Sequence, residues 1–221
     1  MLSSKAMRIT KLTYVRKRGQ GRVNLELADG STLELDAELA VAHQLKSDMV
    51  LTGQALAALR REQHALEARQ RLVRYLALRR KSRREAQLYL ARLGFSEEAV
   101  QGALEKAAAL GMIDDAGYAQ AYTRSAQRSA HKGPRAIRYE LFQRGVDPQT
   151  TAEAVAGAEP REVQLKHAKQ AARRRAEALR RDPKGRTKLS QFLMRKGYDG
   201  SVAAQVAREM IEEGEEEDGE E

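Results

Sequence analysis

The sequence predicts a mainly α-helical protein: three tandem three-helix repeats in an elongated array, preceded by a small N-terminal antiparallel β-hairpin unit. Three observations carry this expectation. Apolar residues alternate near the N-terminus and switch to helical spacing from Thr52 onward. A glycine, an apolar residue and a helix-capping residue recur together three times, at offsets of 51 and 52 residues. The chain is rich in Ala and Leu, both strong helix formers, and has no Trp and 5% aromatic residues. That composition suits several small cores rather than one large one.

The β unit is expected over residues 8–35. Val23, Leu25 and Leu27, then Leu33 and Leu35, alternate as on half-buried strands. Asp29-Gly30 between the last two strands supports the positive φ angles of a hairpin turn, and Gly19 and Gly21 punctuate the first connection. A few strands do not stand alone in water, so the unit needs a helix to pack against. The segment 37–45, N-capped by Asp36, is the nearest candidate, and residues 1–50 form this first region. Thr52 is then placed to cap a long helix running towards Arg79. Its apolar stripe is Leu56, Leu59, Leu66, Val73 and Leu76.

The repeated hairpins begin at Ser82, Gly133 and Gly185. Ala86, Ile137 and Leu189 align, as do Leu90, Leu141 and Leu193. Gly94, Gly145 and Gly197 follow, each trailed by Phe95, Val146 or Tyr198 and then by Ser96, Asp147 or Asp199. Ala103, Ala154 and Val206 close the pattern. The glycine supplies a left-handed C-terminal cap, the apolar residue packs back on the helix just ended, and the Ser or Asp caps the next helix. A further helical stretch precedes each hairpin, over 65–79, 115–129 and 161–181. Units of this size bury too little alone and gain the rest by stacking. The repeats are drawn at 51–112, 113–159 and 160–211. The last ten residues, 212–221, hold eight acids and no base and read as a disordered tail.

The net charge is +9, and because of that acidic run residues 1–211 alone carry +17. Such a field favours a polyanion or an acidic protein surface. The bases gather at the turn that enters each hairpin. Arg79, Arg80, Arg83 and Arg84 mark the first. Arg128, Lys132, Arg135 and Arg138 mark the second. Arg173, Arg174, Lys184, Arg186 and Lys188 mark the third. Stacked repeats would align these corners into a positive stripe, the expected contact surface. Bases at helix ends also oppose the helix dipole, which accounts for a few of them. With so few aromatic residues, stacking on single-strand bases is expected to be weak.

Catalytic signals are sparse. The absence of Cys removes disulfides, thiolate nucleophiles and Cys-ligated zinc. No phosphate-binding loop or nucleophile elbow occurs. His43, His64, His131 and His167 are scattered without metal-binding spacing, so surface or packing roles are expected. Asp114 and Asp115 are the sharpest candidates: a metal site, a general acid–base pair, or a helix start. Gly111 ends one helix and another follows, so one of the two acids stands at its N-cap with the other in the first turn. Such a cap is worth ~0.5–2 kcal/mol. A metal would need further ligands, and no nearby acid or His is suitably spaced. The expectation is a non-enzyme with no catalytic residue, metal or cofactor. No run approaches the ~18 apolar residues of a membrane span, and Met1–Thr10 lacks the apolar core of a signal peptide. A cytoplasmic protein without membrane contact is expected.

These motifs resemble the RecX family of recombination regulators. "IDDAGYA", Ile113–Ala119, is similar to that family's apolar-Asp-Asp-x-x-aromatic-Ala motif, with Tyr118 where Phe is common. "RSAHKGPRAIRYELFQRGV", Arg128–Val146, is similar to its Arg-rich segment ending in Gly-apolar. The resemblance runs over about residues 8–211 and leaves out the acidic run. It implies a crescent of three three-helix repeats that lies in the groove of the RecA–DNA filament. It further implies inhibition of filament growth, ATP hydrolysis, strand exchange and stimulated repressor cleavage. The RecA filament is then the main partner, single- and double-stranded DNA bind more weakly and with salt dependence, and the protein is a monomer. Asp114, Asp115, Tyr118, Gly94, Gly145 and Gly197 are structural motif positions in this reading. A second possibility stays open, a stand-alone DNA-binding architectural or regulatory protein, since three-helix units superficially resemble helix-turn-helix modules. The acidic run is expected to restrain the basic body by mimicking a polyanion.

Overall fold

The computed structural model describes residues 6–17 and 19–217. The chain divides into two compact units, Met1–Leu78 with Gln87–Met112, and Arg79–Ala86 with Ile113–Glu221.

In the first unit, β1 (Met7–Lys17), β2 (Gln20–Leu27), β3 (Thr32–Asp36) and β4 (Val50–Leu51) form an antiparallel sheet in the order β3-β2-β1-β4. A register shift between Ile9 and Lys11 marks a bulge in β1. The β2–β3 connection differs from a tight two-residue turn. Only Gly30 takes a positive φ, +82°, while the Asp29 carboxylate accepts from the Ser31 N–H at 2.9 Å and its hydroxyl at 2.6 Å. That side-chain turn stabilises a longer loop.

The inward residues Ile9, Val23, Leu25, Leu27 and Leu35 form one core with Leu51, Leu56 and Leu59. Asp36 caps α1 (Ala37–Ala42), accepting from the Glu38 N–H at 3.1 Å. The larger cover comes from α2 (Gly53–Leu78), whose N-terminal Ala55 N–H donates to Thr52 Oγ1. Gln63 of α2 accepts the Asp36 N–H at 2.7 Å, and Gln70 donates to the Asp36 carboxylate. The stripe along α2 departs from expectation at its far end: Leu72 is buried, whereas Val73 is 45% exposed. Leu56 and Leu59 join the core under the sheet, and α2 also packs on α4 (Glu97–Ala109).

Gln87–Met112 includes the end of α3 (Arg83–Arg92) and all of α4. Tyr89 stacks on Tyr75 of α2 at 4.0 Å. Phe95, the apolar residue after Gly94, packs on His64, whose Nε2 accepts the Ser96 N–H.

The second unit holds α5 (Asp115–Ala130), α6 (Pro134–Gln143), α7 (Pro148–Val155) with a terminal 3-10 turn, α8 (Arg161–Leu179), α9 (Gly185–Arg195) and α10 (Gly200–Glu217). One core joins Tyr118, Ala119, Ile137, Leu141, Val146 and Val155. Another joins the alanine stripe of α8, Ala168, Ala172 and Ala176, to Leu189, Leu193, Tyr198 and Val206. The small alanines let α9 and α10 approach the α8 backbone closely.

The repeat seen in the sequence is a repeat of structure. Ala86, Leu90, Ile137, Leu141, Leu189 and Leu193 are all fully buried. Gly94, Gly145 and Gly197 have φ of +83°, +73° and +91°. The residue after each donates back to the fully buried leucine: Phe95 to Leu90, Val146 to Leu141, Tyr198 to Leu193. This is the hydrogen-bond pattern of a glycine-terminated helix. Ser96 and Asp147 cap the following helices through Ala99 and Thr150.

The acidic run is corrected in part. Helix α10 continues through Glu217, because glutamate is a good helix former and the buried face of Val202, Val206 and Ile211 has already set the helix. Residues 218–221 lie outside the described residues. Among the described residues, no helix is long and apolar enough to cross a membrane.

Candidate functional site: repeat junctions and basic corners

Asp114 and Asp115 do different jobs. Asp114 is the N-cap of α5, its carboxylate accepting the Gly117 N–H at 2.9 Å. A side chain at Gly117 would sit 2.2 Å from that carboxylate, which accounts for the glycine. Asp115, one residue later, accepts the backbone N–H of Arg83 at 2.8 Å. It therefore satisfies the open end of α3 as well as standing in the first turn of its own helix. Burial raises the Asp115 pKa, while the Arg83 N–H and its charge pull it down.

The same end of α3 carries a capping box. Ser82 Oγ accepts the Glu85 N–H, and Glu85 accepts the Ser82 N–H, both at 3.1 Å. The fully buried Ser82 hydroxyl then donates to the Arg144 carbonyl at 2.6 Å. Arg144 completes the junction. Its guanidinium donates to Glu85 and to the Tyr118 hydroxyl, both at 3.1 Å, and lies 4.8 Å from the Tyr122 ring centre. Tyr122 donates to Glu140, which also pairs with Lys132. Burial, and next the Glu85 charge, push the Tyr118 pKa up to about 12. Sequence reasoning did not single out Arg144. Its signal was its place just before the glycine of the turn.

An analogous junction forms fifty residues on. The Gly133 N–H donates to the Lys196 carbonyl at 2.8 Å and the Arg135 N–H to the Gly197 carbonyl at 3.1 Å. The Tyr198 hydroxyl donates to the His131 carbonyl, and Lys196 Nζ to the Ala130 carbonyl. The Asp199 carboxylate accepts from Arg135 at 2.6 Å and from Gln164 at 3.1 Å. In both junctions the start of one hairpin lies on the glycine turn of the next. A Cβ on Gly145 would be 2.4 Å from that of Arg84, and one on Gly197 would be 2.3 Å from the Ala136 nitrogen. Around Gly94 nothing lies within 4 Å. Gly145 and Gly197 thus supply both left-handed backbone and close approach, and Gly94 only the first.

The thirteen basic candidates all fall in the second unit. Arg79, Arg80, Arg84, Arg128, Arg173, Arg174 and Lys184 are exposed, and Arg83 is half-buried at the Asp115 junction. Carboxylates stand beside several others: Glu140 by Lys132, Asp199 by Arg135, Glu159 by Arg138, Glu212 by Arg186 at 3.7 Å, and Asp182 by Lys188.

Arg128 and Arg173 meet in one cleft, lined also by His131, Lys166, His167 and Gln170. Two histidines that look scattered in the sequence are therefore neighbours, because α5 ends where α8 passes. His131 occupies the left-handed cap of α5, with φ +46°. Burial, then the charges of His131 and Lys166, hold the His167 imidazole below its usual pKa, against a raising hydrogen bond from Gln170. Among the described residues, no group of three or more His, Asp or Glu side chains could hold a metal ion.

Known proteins share this arrangement. A family model described as "RecX, second three-helix domain" matches residues 114–155, and one described as "RecX, third three-helix domain" matches residues 162–206. The chain is 26% identical over 200 residues to the regulatory protein RecX of Clostridium perfringens, covering 89% of this chain and 93% of that one. It is 28% identical over 202 residues to that of Levilactobacillus brevis, covering 90% and 75%. A crystal structure of regulatory protein RecX aligns with a TM-score of 0.72 at 27% identity, covering 94% of this chain and 99% of that one. The two family models take in Asp114, Tyr118 and Arg144 of the first junction and both sides, Gly133 and Gly197, of the second. The chain is thus similar to RecX proteins in its fold and in two of its three-helix domains.

Proposed function

We propose that the protein is a non-enzymatic, cytoplasmic regulator of homologous recombination that docks on the RecA–DNA filament through the basic corners of its repeats. Docking inhibits RecA ATP hydrolysis, strand exchange and co-protease activity. One observation carries the reading: the three basic corners, separated by some fifty residues each in the sequence, belong to one compact unit. The match to RecX domains and the charge of +17 on residues 1–211 support it. The exposed corner bases are the stronger contacts. Those already paired exchange one carboxylate for another anion, and an exposed pair of this kind is worth only ~0–1 kcal/mol.

Reversal of charge at Arg80, Arg128 and Arg173 tests the docking surface. RecA ATPase activity in the presence of the variant is expected to rise towards the uninhibited rate, with the helical circular dichroism unchanged. Full inhibition by a folded triple variant would remove the basic corners from the account. The cleft shared by Arg128 and Arg173 favours a second reading, a stand-alone DNA-binding regulator. Steeply salt-dependent DNA binding without any effect on RecA would select it.

A further inference from the structure

The cleft at the end of α5 differs from the other basic regions of the second unit. Its lining is three permanent cations, Arg128, Lys166 and Arg173, two imidazoles, His131 and His167, and the amide of Gln170. No carboxylate is among these lining residues, whereas Lys132, Arg135, Arg138 and Lys188 each hold one. Cations gathered without an anion repel one another. The Nδ1 atoms of both His131 and His167 are buried and meet no hydrogen-bond partner among the described residues.

We propose that this cleft seats a backbone phosphate of a nucleic-acid strand, its charge met by Arg128, Lys166 and Arg173 and by a proton that His167 takes up on binding. A neutral imidazole has one N–H, whereas the protonated ring donates from both nitrogens and adds a charge. Burial first, then the charges of His131 and Lys166, disfavour protonation of His167. A phosphate beside the ring favours it by opposite charge. The walls are fixed in advance. The His131 carbonyl accepts from Tyr198, and the Ala130 carbonyl from Lys196 Nζ at 2.6 Å. The C-terminal dipole of α5 opposes an anion, and the Lys196 ammonium on that helix end offsets it.

A strand fits better than a lone phosphate because positive charge continues past the cleft. Arg124 lies one turn before Arg128 on α5 and is exposed. The site deepens the function proposed above and rests on that reading for the biological source of the strand. The chemistry of phosphate capture does not depend on it.

Isothermal titration of the full chain with a short oligothymidylate, at pH 7 in two buffers of different ionisation enthalpy, counts the protons taken up. The expected uptake is on the order of one proton per chain. It should vanish in the His131→Asn/His167→Gln variant, in which asparagine still tolerates the left-handed cap. If that variant fails to melt cooperatively, Arg173→Gln provides the second test. Its salt dependence of log affinity should be shallower by about 0.7, the loss of one single-strand phosphate contact. Binding without proton uptake, or uptake unchanged in the folded double variant, would overturn the site. Equal uptake with inorganic phosphate alone would overturn the strand assignment. A wild type that takes up protons with the oligonucleotide but leaves RecA unaffected would sink the regulatory reading and keep the site. RecA inhibition without proton uptake would do the reverse.

Discussion

The Asp115 carboxylate accepts the backbone N–H of Arg83 across 32 residues of sequence, at 2.8 Å. One acid of the family motif thus caps a helix other than its own. Asp115→Ala is expected to lower stability by ~0.5–2 kcal/mol, the scale of a lost cap, whereas Asp115→Asn keeps an acceptor and loses less. The raised pKa adds a pH signature. A carboxyl with a raised folded pKa costs stability above its unfolded pKa, and the cost fades as pH falls through the folded value. Asparagine should therefore gain on aspartate as pH rises from 4 towards 7. Melts of the three proteins across that range check it.

The glycines separate conformation from packing. Gly94→Ala pays only for left-handed backbone, ~1–2 kcal/mol. Gly145→Ala and Gly197→Ala should cost more, because each side chain would collide with the preceding hairpin. Gly197→Ala should be the worst, since the backbone nitrogen of Ala136 cannot swing aside. Denaturant midpoints that rank all three alike would contradict the junction.

Tyr118 gives an alkaline test. Its hydroxyl ionises near pH 10 when unfolded and only at about 12 in the folded chain. The folded state then holds the proton that the unfolded state releases, so stability falls as pH rises above 10. Tyr118→Phe should remove this part of the alkaline loss at the expense of the hydrogen bond to Arg144. Melting temperatures from pH 8 to 11, compared between the two proteins, should converge as pH rises.

The acidic run should act as an internal competitor. Glu212 already lies 3.7 Å from Arg186 and near Arg208. Deleting residues 212–221 is expected to tighten binding to an oligonucleotide at low salt and to leave it unchanged at high salt, where exposed charges are screened. Equal affinity at low salt would remove this role.

The hairpins were legible because their signals are local. Gly94, Gly145 and Gly197 stand at the helix ends they terminate, and Ser96 and Asp147 beside the helices they cap. Asp114 as a cap was legible for the same reason. The partnership of Asp115 with Arg83, and of Arg144 with Tyr118 and Glu85, depends on which helix ends stacking brings together, and no local spacing encodes that. His131 and His167 looked unrelated for the same reason. The exchange of Val73 for Leu72 on α2 depends on what packs against that turn, which local spacing does not encode. The ion pairs on several basic candidates were hidden because their acids, such as Glu159 and Asp199, lie on other turns.

The central claim is that this chain restrains RecA. The most direct measurement is RecA ATP hydrolysis on single-stranded DNA, titrated with the protein at low and at high salt. The account expects inhibition that saturates, and that needs more protein at high salt because the basic corners provide the attraction. An ATPase rate unchanged at both salt concentrations by excess folded protein would contradict it.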